Sequence, residues 1–340
     1  MKALFIGFGT VGQGLAELLV EKEQTLRECH GLEVKVVGIA DMQKGTIYDP
    51  GGIDLTKALD AVKAGTNLEG AAGPKFEGDV LTLIRQADAD VMLEATYTDI
   101  KTGEPATGHV RAALERGMHV VTSNKGPLAL HYRELAELAR NHGVKFLFEG
   151  TVMSGTPLLN LIRETLAGTK ITEIKGILNG TTNYILTRME EGLSYEDALK
   201  KAQELGYAEA VPDADVLGWD ALAKVTILAN VVFGAKLKPF DNPCEGITGI
   251  TADMIRDAKG KGKRYKLIGR IWRDGDHVKA SVAPMQMDLA HPLAGVMGAT
   301  NAATITTDSL SDVTVVGPGA GRKETGYSML IDLIHAGGCR

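Results

Sequence analysis

Residues Lys2–Gly14 read K-A-L-F-I-G-F-G-T-V-G-Q-G, a short apolar run that breaks into a glycine-rich turn. The run Lys2–Ile6 is predicted to be a strand. Val11–Cys29 is predicted to be a helix with Leu15, Leu18, Leu19 and Leu26 on its apolar side. Between them Gly7, Gly9 and Gly12 satisfy G-x-G-x-x-G. In a strand–turn–helix setting the first glycine allows the tight turn and the second lets backbone approach a pyrophosphate. The third lets the helix pack close to the strand. The helix N-terminus then offers N–H groups and a positive dipole to the phosphates. Asp41 follows the second strand, Glu33–Ala40, where a carboxylate meets the ribose hydroxyls. Lys44 is close enough in sequence to meet a 2′-phosphate, so NAD and NADP both remain open.

Working outward, strand-like runs alternate with helical ones. Strands are expected at Val91–Glu94, His119–Thr122 and Lys145–Phe148, with helices at Val80–Gln86, Gly108–Arg116 and His131–Asn141. That alternation predicts a Rossmann-type, doubly wound parallel α/β sheet. The Gly-rich stretch 44–79, with one helix at Asp54–Ala64, reads as an excursion off the sheet. After about Gly150 the character changes. Helices are predicted at Thr156–Leu166, Thr182–Glu190, Ser194–Glu204 and Leu217–Phe233, the third opened by a capping box, Ser194–Asp197. Lys266–Arg273 and His277–Pro284 around Asp274–Gly275–Asp276 predict a hairpin. The expected domains are 1–148 with 310–340 for the dinucleotide, and an α+β domain, 149–309, for substrate and dimerisation.

Composition narrows the function. The chain has 340 residues, 44% of them apolar and 24% charged, with 37 basic against 43 acidic residues and a net charge of −6. That balance disfavours a polyanion surface, so nucleic acid is not an expected partner. No run approaches the roughly 18 apolar residues of a membrane span. The opening MKALFIG starts like a signal peptide, yet it stops at once in the glycine turn without a cleavage site. Cys29, Cys244 and Cys339 form no CxxC, which suits a reducing cytoplasm. Cys339 is either an incidental tail residue or an exposed thiol able to link two chains.

The chemistry concentrates in Gly206–Phe233. An acid-rich loop with Glu209, Asp213 and Asp215 leads into a helix on which Asp220 and Lys224 stand one turn apart. Ile227, Leu228 and Val231 continue the lysine's face. An acid–lysine pair at this spacing is often a surface ion pair. A lysine held on an apolar stripe is instead desolvated, and its lowered pKa suits general acid/base work. Lys125, in Val121–Gly126 (VTSNKG), follows a strand at the sheet's carboxyl edge, where it either faces a reacting oxygen or is a surface lysine. Leu178–Tyr184 (LNGTTNY) offers backbone N–H groups to a carboxylate, or is cap chemistry alone. HExxH, GxSxG and Walker sequences are missing, and no cysteine stands in a context suited to a thioester nucleophile. Hydride transfer with a lysine acid/base is what remains.

Eight segments, in order, resemble homoserine dehydrogenase: GFGTVG at Gly7, SNK at Ser123, EGTVMSGTP at Glu149 and NGTTNY at Asn179. Then follow GYAE at Gly206, GWDALAK at Gly218, HPLAGVMGATNA at His291 and VGPGAG at Val316. The resemblance runs from end to end. It implies NAD(P)H-dependent, reversible reduction of L-aspartate 4-semialdehyde to L-homoserine, on the route to threonine and methionine. It makes Lys224 the proton donor with Asp220 beside it, and sets Lys125 between nicotinamide and substrate. Glu209 takes the substrate ammonium, with Gly180, Thr181, Tyr207, Asp215 and Asp220 around the amino acid. The implied cofactor contacts are Gly7, Phe8, Gly9, Thr10, Val11, Gly12, Asp41, Lys44, Thr96, Ser123, Lys125 and Gly319. A monovalent cation, Na+ or K+, is implied on backbone oxygens of Glu149, Val152, Ser154 and Thr156, and a homodimer through the substrate domain's sheet.

Two stretches depart from the family. Its acidic loop usually reads E-x-D-P, where this chain has Glu209-Ala210-Val211-Pro212, and SGTP replaces a more glycine-rich loop. With no kinase domain before Met1 and no regulatory domain after Arg340, feedback through an appended domain is not expected. The rival readings are another Rossmann-type oxidoreductase of a small aldehyde or ketone, for which Glu209 would have no ammonium to bind, and a non-catalytic dinucleotide sensor.

Overall fold

The computed structural model describes residues 1–338 and divides into two compact units, Met1–Gly155 with Gly321–Arg340, and Thr156–Ala320. In the first unit the order is β1 (Lys2–Ile6), α1 (Thr10–Glu21), α2 (Glu23–His30), β2 (Lys35–Asp41), β3 (Gly45–Tyr48), α3 (Leu55–Lys63) and α4 (Val80–Gln86). Then come β4 (Val91–Glu94), α5 (Ala106–Glu115), β5 (His119–Thr122), α6 (Lys125–Asn141), β6 (Phe146–Leu147) and α7 (Gly150–Met153). The strands form one sheet in the order β3-β2-β1-β4-β5-β6, all parallel except β3. Consecutive residues of β1 point to opposite faces. Ala3 and Phe5 enter a core with Leu15 and Leu19 of α1 and Leu330 and Leu333 of the chain's last helix. Leu4 and Ile6 enter the other, with Leu83, Val110 and Leu135 from α4, α5 and α6. Helices on both faces make the sheet doubly wound.

The second unit carries β7 (Ile171–Ile177), α8 (Gly180–Glu190), α9 (Tyr195–Glu204), α10 (Asp213–Val216), α11 (Trp219–Val232), α12 (Ala252–Gly260), β8 (Lys263–Asp274), β9 (His277–Asp288), β10 (Thr300–Thr307) and β11 (Ser311–Pro318). Its sheet is antiparallel, in the order β11-β10-β7-β8-β9. α11 is buried continuously from Ala221 to Ala229, so it is a core helix rather than an amphipathic one. α13 (Arg322–Ala336) returns to the first unit and crosses α1 closely: a Cβ on Gly326 would lie 2.6 Å from Gly14 backbone.

Several sequence expectations change. The helix expected over 11–29 breaks at Lys22 (φ −111°, ψ 12°) into α1 and α2. The stretch 44–79 is not wholly off the sheet, since Gly45–Tyr48 adds an antiparallel edge strand to β2. α6 starts at Lys125, not His131, because Asn124 caps it by accepting the Gly126 N–H at 3.0 Å. In place of an α-helix over 156–166 there is a π-helical turn, Leu161–Thr165. β7 and α12 were not expected. The capping box is present: Ser194 Oγ accepts the Asp197 N–H at 3.0 Å and donates to the Asp197 carboxylate at 2.8 Å.

The expected boundaries at 148/149 and 309/310 also differ from this division. Glu149 donates its backbone N–H to Asp332 at 2.7 Å within the first unit. Ser311–Pro318 pairs along its whole length with β10, so the chain leaves the second unit only at Gly321. Cys29 and Cys244 are free thiols; Cys339 lies outside the described residues. Among the described residues no helix is long and apolar enough to cross a membrane.

Candidate active site

In the first unit the carboxyl ends of neighbouring parallel strands carry the expected cofactor residues. Gly7 follows β1 at φ +93°, and a Cβ there would lie 2.5 Å from the Ala95 carbonyl group. A Cβ on Gly12 would lie 2.4 Å from the Gly7 carbonyl oxygen. On Gly9 it would meet nothing within 4 Å. Two glycines are thus required by the protein's own packing, while the third leaves one side of the turn open. A dinucleotide pyrophosphate needs that combination of closed and open positions, so the residues present fit it. Thr10 and Val11 open α1 behind the turn, and Gly9 at its N-cap brings no capping side chain.

Asp41, ending β2, ties the turn to the next strand. Its carboxylate accepts from the Phe8 N–H at 2.9 Å, from Gln43 and Lys44 N–H groups at 3.0 and 3.1 Å, and from Lys44 Nζ at 3.4 Å. Burial pushes this carboxyl up, but those backbone bonds and the lysine outweigh it and hold it below the usual range. Lys44 thus meets Asp41 through both its backbone N–H and its ammonium. Thr96 follows β4, and Ser123 and Lys125 follow β5, Lys125 as the first residue of α6. These positions flank β1 and β4, the centre of the sheet from which strand order runs both ways, where ligands of such sheets bind. A cavity of about 540 Å³, lined by Leu19, Leu26, Arg27, Lys35, Ile53 and Leu55 among others, lies beside the start of β2 rather than its Asp41 end.

In the second unit the lysine is buried as expected but not alone. Lys224, 7% exposed, sets its Nζ 2.8 Å from Asp220 Oδ2 and donates to the Leu178 carbonyl at 2.7 Å. Asn179 joins the group: its Nδ2 donates to Asp220 at 3.0 Å and to Asp215 at 2.7 Å, while its Oδ1 caps α8 by accepting the Thr182 N–H at 2.9 Å. Burial, and next the Asp220 charge, push the Asp215 carboxyl above its usual range, against the pull of Asn179 and Lys224. Thr181 donates to the Tyr207 carbonyl at 2.6 Å, and the Tyr184 and Tyr207 rings lie 5.0 Å apart. Gly180 opens α8 with no room for a side chain, since a Cβ would lie 2.5 Å from the Ala299 carbonyl oxygen.

The structure therefore brings together Lys224, Asp220 and Asp215, and beside them the α8 start with Gly180 and Thr181. It does not bring Glu209 into that network: Glu209 is exposed, and its carbonyl accepts from Gln203 Nε2 at 3.0 Å. Gly319, expected in the dinucleotide domain, falls in the second unit, where Asn301 atoms 2.0 Å from a Cβ position account for the glycine. Of the expected cation residues, Glu149, Val152 and Ser154 belong to the first unit and Thr156 begins the second. Ser154 has the unusual backbone φ 53°, ψ −126°. Among the described residues no group of three or more His, Cys, Asp or Glu side chains is placed to hold a metal ion.

Sequence reasoning missed Asn179, which it saw only as part of a cap motif. It also missed Lys266, 1% exposed, which donates to Asn183 Oδ1 at 2.9 Å and to the Val296 carbonyl. Burial pushes this lysine down to about 8. Strand alternation gave no signal, since it groups Lys266 with the partly exposed Arg264 and Arg270, and β8 is buried on both faces from Lys266 to Gly269.

Residues 157–334 match the family "Homoserine dehydrogenase", and residues 7–149 match "Homoserine dehydrogenase, NAD binding domain". The chain is 44% identical over 335 residues to an NAD(+)-dependent homoserine dehydrogenase of Pseudomonas canavaninivorans, covering 98% of this chain and 95% of that protein. Among solved structures, a putative homoserine dehydrogenase from Archaeoglobus fulgidus superposes with a TM-score of 0.88 at 41% identity, covering 98% of each chain. A hyperthermophilic archaeal homoserine dehydrogenase in complex with NADPH superposes with a TM-score of 0.83 at 32% identity, covering 99% of this chain and 98% of that one.

Proposed function

The chain belongs to the homoserine dehydrogenase family, and we propose on that premise how its residues divide the work. The reaction is the reversible NAD(P)-dependent reduction of L-aspartate 4-semialdehyde to L-homoserine. The dinucleotide, when bound, supplies the hydride for the aldehyde carbon. The chain must supply a proton for the aldehyde oxygen, donors for the carboxylate and an anion for the ammonium.

We assign the proton to Lys224. The observation that carries this is the buried ammonium held at 2.8 Å from Asp220 and 2.7 Å from the Leu178 carbonyl. A lysine ammonium has three N–H donors, so these two contacts fix its direction and leave a third for the substrate oxygen. Asp220 then stabilises the charged form in the reducing direction. Lys125 is assigned to the cofactor side, at the start of α6, where it shares the proton role. The start of α8 at Gly180 and Thr181 is assigned the substrate carboxylate. Glu209 is assigned the ammonium on the family resemblance, and Tyr207 and Asp215 are assigned to the amino acid, with the support that Thr181 tethers Tyr207 and Asn179 holds Asp215.

NAD is the proposed preferred dinucleotide. Asp41 is held ionised at the ribose position and engages Lys44, so a 2′-phosphate would meet a carboxylate rather than an unengaged lysine. A monovalent cation, Na+ or K+, on backbone oxygens of the Glu149–Thr156 loop, a homodimer and a cytoplasmic location complete the proposal. The cation is tested by turnover with and without each ion, the dimer by light scattering. The central experiment follows NADH and NADPH absorbance with aspartate 4-semialdehyde. Turnover with NADH ahead of NADPH is expected, and NADPH ahead would refute the assignment of Asp41. Glu209→Gln should raise the apparent KM for the semialdehyde about tenfold or more, as expected for loss of a charged hydrogen bond. An unchanged KM removes Glu209 from the site.

A further inference from the structure

Glu94 closes β4 between Ile6 of β1 and Thr122 of β5, and it is fully buried. Burial pushes its carboxyl upward, and the groups that oppose this are hydroxyls and amides rather than a cation. A buried carboxyl without a cation beside it is stabilised only by the hydrogen bonds it accepts.

One oxygen accepts the Thr96 N–H at 3.0 Å and the Thr96 hydroxyl; the other accepts the Thr122 hydroxyl at 2.7 Å. The Thr122 hydroxyl in turn accepts the Asn124 N–H at 3.0 Å. Asn124 Nδ2 donates back across to the Tyr97 carbonyl at 3.0 Å and the Thr96 carbonyl at 3.3 Å, while its Oδ1 caps α6. The backbone of Glu94 accepts from the Ser123 N–H at 3.3 Å. A closed ring of bonds therefore runs from the end of β4 to the end of β5, and the Asn124 cap extends it to the Gly126 N–H, on either side of Lys125 in the chain. Ala95, next along, is the residue against which Gly7 is packed.

We propose that Glu94 is a positioning residue of the cofactor half: it locks the ends of β4 and β5 together and so fixes Thr96, Ser123 and Lys125 for the nicotinamide end of the dinucleotide. The proposal rests on the assignment of those three residues to the cofactor. It explains why a carboxylate stands at the position. Three donors converge on two acceptor oxygens, and a glutamine would offer one oxygen and an amide. An amide facing Thr122 would leave the Thr122 O–H without its acceptor, and an amide turned the other way would displace the Thr96 donors.

Glu94→Gln is expected to weaken NADH binding about tenfold and to lower kcat about 10- to 100-fold, the scale of a small misplacement near reacting groups, with little change in KM for the semialdehyde. Binding is measured by calorimetry without turnover. Thr122→Val breaks the ring while leaving the carboxyl and is expected to shift the same constants in the same direction. Thr122→Ser keeps the hydroxyl and is expected to restore them. If Glu94→Gln does not fold, the Thr122 pair decides. The proposal is overturned if NADH affinity and kcat stay within about twofold of the parent in the folded variants, even with a lowered Tm. It is also overturned if the serine and valine variants behave alike. Failure of the parent to turn over the semialdehyde while binding NADH counts against the reaction and leaves the calorimetric comparison to judge Glu94.

Discussion

At Gly7–Gly12 the contacts that matter are backbone against backbone, with Gly7 on Ala95 and Gly12 on Gly7. At Lys224 they are mostly side chains, with one ammonium, two carboxylates and an amide within 3.0 Å steps of one another, and one backbone carbonyl, that of Leu178. The first arrangement tolerates no added atom at Gly7 or Gly12 and works by leaving space at Gly9. The second works by placing charge, and each member keeps its neighbours in position. The two halves should accordingly fail in different ways when changed.

The largest expected effect is at the lysine. Lys224→Ala should lower kcat about 10²–10⁴-fold, the range for a lost general acid, with NADH affinity unchanged. Near-normal turnover would transfer the proton role to Lys125. At the glycine turn the contrast lies between two substitutions of one methyl group. Gly7→Ala should cost about 2–4 kcal/mol of stability, because a left-handed residue gains a Cβ inside backbone contact. Gly9→Ala should change stability by less than about 1 kcal/mol, since its Cβ meets no protein atom and only the cap preference changes, yet weaken NADH binding. Denaturant melts paired with calorimetry separate the two, and equal losses of stability would erase the distinction between closed and open glycines.

The smallest effect concerns Asp215. Its folded carboxyl is raised, so between the ordinary aspartate value and the raised one the folded chain binds more protons than the unfolded chain. Stability from this group is therefore full below the ordinary value and falls as pH rises through the raised one. Asp215→Asn should flatten that slope in melts from pH 3 upward. A parent that instead gains stability relative to the variant over this window would show that Asn179 and Lys224, not burial and Asp220, dominate at Asp215.

Much of the first half was legible because its signals are local. β1, α4, β4 and β5 begin and end where apolar runs and breakers placed them. The capping box at Ser194 was visible as two residues three apart. β3 was not, because Gly45–Tyr48 is only four residues long within a glycine-rich stretch and acquires strand geometry by pairing with β2. β11 was read toward the nucleotide domain because a strand followed by a glycine turn looks alike in either unit; its pairing with β10 decides. In the site, Asp220 and Lys224 were legible from their helical spacing. Their link to Asp215 was not, because it passes through Asn179, 36 and 41 residues away from its two acids.

The amino-acid sequence by itself determined the dinucleotide turn, the strand–helix alternation and the acid–lysine pair, since each depends on residues within a turn or two of one another. Only the tertiary structure decided that Gly9 is open while Gly7 and Gly12 are closed, and that Asp41 engages Lys44. It alone decided that Asn179 bridges two carboxylates, and that Glu94 and Lys266 are buried among hydrogen-bond partners. Those features depend on which distant groups share a volume. A buried charge takes its role from the donors and acceptors folded around it, so its function is written in the packing rather than in its neighbours along the chain.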